Sequence, residues 1–151
     1  MNKLKYLLLF SIFLFTVGCS DSNNTDYIKI YHLNDEGTGW MTTVQKDLPA
    51  DPEIIINELI TNEITFIPKD TKLLSFEVKD NIAYVNLSKE FENMSLGDFN
   101  IWISIYTIVN TLCLNEELNI DSVQFLIEGE IQHFIGYDII SDEPKEPFLS
   151  L

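Results

Sequence analysis

The segment 99–113 carries apolar side chains on almost every side of the helix that its spacing predicts. One stripe of this helix consists of Phe99, Trp102, Tyr106, Val109 and Cys113. A second stripe consists of Ile101, Ile105, Ile108 and Leu112. Because a helix that lies on a sheet needs only one apolar stripe, something else must cover the second. Two interpretations stay open: the first predicted helix covers the second stripe, or this stripe is a face that binds a partner protein.

The patterns around this helix predict an α+β fold. Alternating residues indicate strands at 27–33, 74–79, 83–88 and 122–128, with a weaker strand within 40–48 and a short one near 131–135. Asp51 and Pro52 are typical of a helix N-cap and first residue, so a first helix begins there. We expect a small two-layer sandwich in β-α-β-β-α-β order, with the helices on one face of a three- to four-stranded sheet.

Side-chain periodicity also predicts which residues face the core. The first helix has an apolar stripe of Ile56, Leu59, Ile60 and Ile64. The predicted hairpin turns at Asp80-Asn81, a pair that tolerates positive φ. In its first strand Leu74, Phe76 and Val78 alternate with polar residues, and in its second strand Ala83, Val85 and Leu87 form the inward face. In the last main strand Val123, Phe125 and Ile127 face one way.

The N-terminus has the pattern of a secretory signal that ends at a cysteine. Lys3 and Lys5 precede a short apolar run, which ends in Thr16-Val17-Gly18-Cys19. These four residues resemble a bacterial lipobox, although its first position is usually leucine; an uncleaved signal anchor is the alternative. We predict a lipoprotein signal peptide at 1–18, a lipidated Cys19 with a flexible tether at 19–26, one domain at 27–141 and an acidic flexible tail at 142–151.

The charge of the chain excludes one class of partner. The formal net charge is −15, the chain has no arginine, and removal of Lys3 and Lys5 with the signal would make it −17. Nucleic acid and anionic lipid headgroups would repel such a chain, so we expect no nucleic-acid partner. Attachment to the membrane would depend on acyl chains, each buried methylene contributing about 0.8 kcal/mol.

The residue types that carry chemistry are few and scattered. His32 and His133 are the only histidines, they have no metal-ligand spacing, and we expect both at the surface or at a strand edge. Cys113 ends an apolar helix without a basic neighbour, so we expect an inert thiol. No glycine-rich phosphate loop or nucleophile motif is present. We therefore predict a non-enzymatic protein with no catalytic residue, metal site or cofactor.

Several stretches resemble the GerMN domain of sporulation and spore-germination lipoproteins. They are residues 30–41, the hairpin 71–91 with Ala83-Tyr84-Val85-Asn86-Leu87-Ser88, the helix end at Val109-Asn110-Thr111-Leu112, and residues 123–129 and 136–144. The resemblance implies a fold like that of ring-building modules and no catalytic residues. The founding members carry two such domains, whereas this chain has one.

The lipobox and this resemblance together predict the function. We expect a protein-interaction domain that a lipid holds on the extracytoplasmic face of the cell membrane, acting in sporulation, germination or cell-envelope assembly. Its partners would be envelope or sporulation proteins, or further copies of the chain. The alternative is a lipoprotein that binds a small ligand or a wall fragment, with Trp40, Tyr84 and Tyr137 as a stacking surface.

Overall fold

The computed structural model describes residues 27–93, 98–137 and 139–150. The elements are β1 (Tyr27–Leu33), β2 (Trp40–Lys46), α1 (Pro52–Thr61), β3 (Leu73–Lys79), β4 (Ile82–Leu87), a 3-10 helix (Lys89–Glu92), α2 (Asp98–Cys113), a second 3-10 helix (Glu116–Leu118), β5 (Ser122–Ile127), β6 (Phe134–Ile135) and β7 (Ile139–Ile140). The predicted signal peptide 1–18, lipidated Cys19 and tether 19–26 lie outside the described residues. The predicted α+β class is confirmed, with two helices and mixed strands.

The main sheet has three strands in the order β3-β4-β5. β3 and β4 are antiparallel and turn at Asp80 and Asn81, whose φ angles of 53° and 61° confirm the predicted turn. β4 and β5 are parallel, and α2 lies in the connection between them. The predicted inward residues of β4 and β5 are buried: Ala83, Val85, Leu87, Val123, Phe125 and Ile127.

A register shift corrects the prediction for β3. The pairing with β4 is irregular between Leu73 and Ser75. The extra residue of such a bulge reverses the alternation on one side of it. Leu73 therefore packs against the core in place of Leu74, which is 45% exposed.

The strands β1 and β2 form a separate antiparallel sheet, in register from Tyr27 and Lys46 at one end to Leu33 and Trp40 at the other. The sequence placed the strands in one sheet, and this detail is corrected. Side chains from the end of α2 occupy the other edge of β1: the hydroxyl of Thr111 accepts a hydrogen bond from the Tyr31 amide. An edge satisfied in this way needs no further strand.

The first helix begins as predicted. The Asp51 side chain accepts hydrogen bonds from the amides of Glu53 and Ile54, and Pro52 is the first helical residue. The helix buries Ile55, Ile56, Leu59 and Ile60. Because α1 ends at Thr61, the predicted stripe residue Ile64 lies beyond it and is exposed.

The segment after β7 corrects the prediction of a free tail at 142–151. Its Lys145 exchanges two backbone hydrogen bonds with Val123 of β5, at 2.9 and 2.7 Å. The side-chain amide of Gln124 donates to the Ser141 carbonyl just before this segment, at 2.8 Å. Pro144 and Pro147 favour extended backbone, which suits a segment that lies along the outer edge of β5. The acidic composition alone did not show this pairing.

Candidate functional site

Five aromatic rings from three segments of the chain form one cluster, with Trp102 at its centre. We call them the aromatic patch: Trp40, Phe99, Trp102, Tyr106 and Phe148. The ring centroids of Tyr106 and Phe148 lie 4.7 and 5.5 Å from that of Trp102, and those of Trp40 and Phe99 lie 6.1 and 6.4 Å from it. Tilted and edge-on pairs at these distances add about 0.5–1.5 kcal/mol each beyond the area they bury. The patch therefore has a defined arrangement.

The aromatic patch is open to solvent on its outer side. Phe99 is 57% exposed and Phe148 is 41% exposed, while Trp40, Trp102 and Tyr106 are partly buried. Their sequence neighbours Met41 and Leu149 are exposed as well. Partial burial raises the pKa of the Tyr106 hydroxyl, so this ring is neutral at physiological pH. Contiguous exposed apolar surface of this kind is typical of a binding face.

Phe148, the ring that the C-terminal segment adds to the aromatic patch, is held by one fully buried side chain. The Asn110 amide donates to the Phe148 carbonyl at 2.9 Å, and its oxygen accepts from the Phe148 amide at 2.8 Å. One side chain thus pairs with both backbone groups of a residue 38 positions away. The sequence did not identify Phe148 as a partner of Asn110.

Replacing Asn110 with Ala is expected to release Phe148 from the aromatic patch. The variant loses two hydrogen bonds, each with a net value of about 1 kcal/mol, so we expect a loss of about 2 kcal/mol in the local free energy of opening. Amide hydrogen exchange at Phe148 measures this directly and should quicken roughly thirtyfold. Unchanged exchange in the Ala variant would contradict the assignment.

The predicted partner face is corrected, because Ile101, Ile105, Ile108 and Leu112 are at most 2% exposed. α2 packs against β1, β5 and α1, so this stripe is covered as one of the two interpretations expected, but by two strands as well as by the first helix. The other stripe of α2 carries three rings of the aromatic patch, of which Phe99 is exposed and Trp102 and Tyr106 are partly buried. The sequence showed both stripes but not which one the fold would cover.

His32 and His133 form hydrogen bonds with neighbouring residues, and Cys113 is largely buried. His32 is buried rather than at the surface: Nδ1 donates to the Leu33 carbonyl, and Nε2 forms a hydrogen bond with the Thr43 hydroxyl at 2.8 Å. His133 is exposed and bonds Asp142 at 2.7 Å. Burial, with a smaller contribution from Asp121, raises the pKa of the Cys113 thiol to about 12. The thiol therefore stays protonated at neutral pH, as the sequence predicted.

The three side chains of the predicted stacking surface lie in three different parts of the fold. Trp40 belongs to the aromatic patch. Tyr84 lies opposite Glu77 and Gln124 in the main sheet, on the face away from Ala83 and Val85. Tyr137 is 86% exposed, between β6 and β7.

In residues 27–93, 98–137 and 139–150, neither helix is long and apolar enough to cross a bilayer. Over the same part of the chain, His, Cys, Asp and Glu do not gather in threes where they could hold a metal ion.

Comparisons with known proteins identify relatives of the whole domain. The family model Germane, described as sporulation and spore germination, matches residues 29–132. No curated protein sequence matches the chain. Among solved structures, a “putative lipoprotein” from Clostridium perfringens is 25% identical with a TM-score of 0.53, over 80% of this chain and 85% of that one.

Two structures of the sporulation protein GerM from Bacillus subtilis share the fold. Its tandem GerMN domains superpose with a TM-score of 0.65 at 18% identity, over 90% of this chain and 51% of theirs. Its first GerMN domain alone gives 0.59 at 21% identity, over 78% of this chain and 95% of the domain. The present chain therefore spans about half of the tandem structure.

Proposed function

Because the chain belongs to the Germane family of sporulation and spore germination, we propose that it is a lipid-anchored, non-enzymatic interaction module of the cell envelope. The aromatic patch carries this proposal, since it places exposed rings on a domain of the GerMN fold. Large exposed aromatic side chains dominate the energetics of many protein interfaces. The partners would be envelope or sporulation proteins.

The lipid anchor is supported by two observations. Cys19 follows a basic and apolar segment in the order of a lipoprotein signal. The similar Clostridium perfringens protein is itself described as a “putative lipoprotein”. Acylation of Cys19, with palmitate among the acyl chains, would hold the domain on the extracytoplasmic face of the cell membrane.

A non-enzymatic role is supported by the chemistry of the described residues. The Cys113 thiol, with its pKa near 12, is a poor nucleophile at neutral pH. Both ring nitrogens of His32 are engaged within its own sheet, by Leu33 and Thr43. These groups stabilise the fold and are not placed to act on a substrate.

The test compares the full-length protein with Cys19→Ala in the native host. The wild type should partition into the membrane fraction, incorporate labelled palmitate and co-purify with a fixed set of envelope proteins after mild crosslinking. Cys19→Ala should incorporate no label and lose that set, while the matched Cys113→Ala variant should keep both. Label in Cys19→Ala, or wild-type protein that stays monomeric and co-purifies with nothing, would overturn the proposal.

A further inference from the structure

The aromatic patch lies at the end of the domain opposite to the chain's entry. β1 runs from Tyr27 to Leu33, about 20 Å at the rise of a strand, and Leu33 pairs with Trp40. α2 runs back along β1, since Thr111 bonds the Tyr31 amide and the later Asn115 bonds Lys29. The early part of α2, with its exposed rings, therefore lies beside Trp40 and far from residue 27.

The aromatic patch lies at the end of the domain that is farthest from the expected membrane anchor. The segment that would tether the domain enters at Tyr27, whereas the patch is about 20 Å along β1 from that point. If the chain is anchored through the segment before Tyr27, the opposite end of the domain is accessible to other proteins of the same compartment. A net charge of −15 also opposes close approach to anionic headgroups.

The charged residues of the β1–β2 turn, at the patch end of the domain, are acidic. The turn that joins β1 to β2, directly before Trp40, exposes Asp35 and Glu36. The lysines of this sheet lie toward the other end: Lys46 pairs with Tyr27, and Lys29 lies beside Asn115. Residues 99–113 contain no charged side chain that could offset the acidic turn.

We propose that the aromatic patch docks a positively charged segment of an envelope protein, with aromatic or aliphatic anchors between its Lys and Arg residues. The proposal rests on the interaction function and names the chemistry of the partner. Apolar anchors would pack on Trp102 and Phe148, and the basic residues would face Asp35 and Glu36. A second copy is a poor occupant, because a two-fold contact would bring two acidic ends together.

Photo-crosslinking of the full-length protein in its host locates the partner. p-Benzoylphenylalanine is placed at Phe99 or, as a control of similar exposure on β3, at Leu74. We expect a protein adduct at position 99, at least about fivefold above position 74, that maps to a segment of net positive charge. An adduct with lipid, with a second copy or with an acidic or neutral segment, or equal yields at both positions, would overturn the proposal.

Charge reversal tests whether Asp35 and Glu36 attract the basic segment, and the yield of the crosslink at Phe99 is again the measurement. Asp35→Lys combined with Glu36→Lys should lower the adduct yield about tenfold, because like charges then face the basic segment. The matched control reverses Asp70 and Glu77, both exposed and away from the aromatic patch, and should stay within about twofold. Equal effects in the two pairs would contradict the proposal.

If partners still co-purify but do not crosslink at Phe99, this inference fails while the interaction function stands.

Discussion

Ile105→Glu is expected to abolish the folded state. Ile105 is 1% exposed and lies in the core among residues of β1, β5 and α1. An unpaired carboxylate there would cost more than about 5 kcal/mol. The whole stability of a small domain is about 5–15 kcal/mol, so the variant should be largely unfolded. Near-ultraviolet circular dichroism and urea titration of the purified protein measure this.

Two further variants make the Ile105 experiment specific. Ile105→Ala creates a cavity without a charge and should fold with a loss of about 2–5 kcal/mol. Phe99→Glu introduces the same carboxylate on the exposed stripe, in the first turn of α2, where the helix dipole favours a negative charge. Its stability should change by less than about 1 kcal/mol. A native-like urea midpoint for Ile105→Glu would show that α2 does not bury this stripe.

The predictable parts of this fold depend on signals close together in the sequence. Asp51 and Pro52 begin α1, and Asp80 and Asn81 turn the hairpin, because neighbouring backbone groups determine these conformations. Alternation likewise predicted the buried faces of β4 and β5. It failed at Leu74, where one extra residue in β3 changes which side chain points inward.

The candidate site could not be predicted because it joins distant segments. Phe148 packs on Trp102, and Asn110 binds the Phe148 backbone across 38 residues of sequence. Composition indicated a free acidic tail at this point, since pairing with one edge of a sheet leaves no periodic pattern. Both stripes of α2 are apolar, so only the packing of β1, β5 and α1 decides that Phe99 and Trp102 face outward.

Asn115→Ala is the second change with a large expected effect. The Asn115 side chain accepts from the Lys29 amide at 3.0 Å and donates to the carbonyls of Lys29 and Thr111 at 2.9 and 2.7 Å. It thereby fastens the end of α2 to the free edge of β1, across 86 residues. Loss of these bonds leaves buried backbone groups without partners, and we expect the free energy of unfolding to fall by about 2–4 kcal/mol.

The pH dependence of Asn115→Asp distinguishes hydrogen bonding from packing. The introduced carboxyl would be buried beside the Lys29 and Thr111 carbonyl oxygens, so its pKa in the folded state should rise above the unfolded value. Protonated, it can donate to one of them; ionised, it repels both. Its stability relative to the wild type should therefore be greatest below about pH 4 and fall as the pH rises to 7. A pH-independent deficit would mean that Asn115 acts through shape alone. Asn57→Ala, on the exposed face of α1, is the control and should change stability by less than about 0.5 kcal/mol.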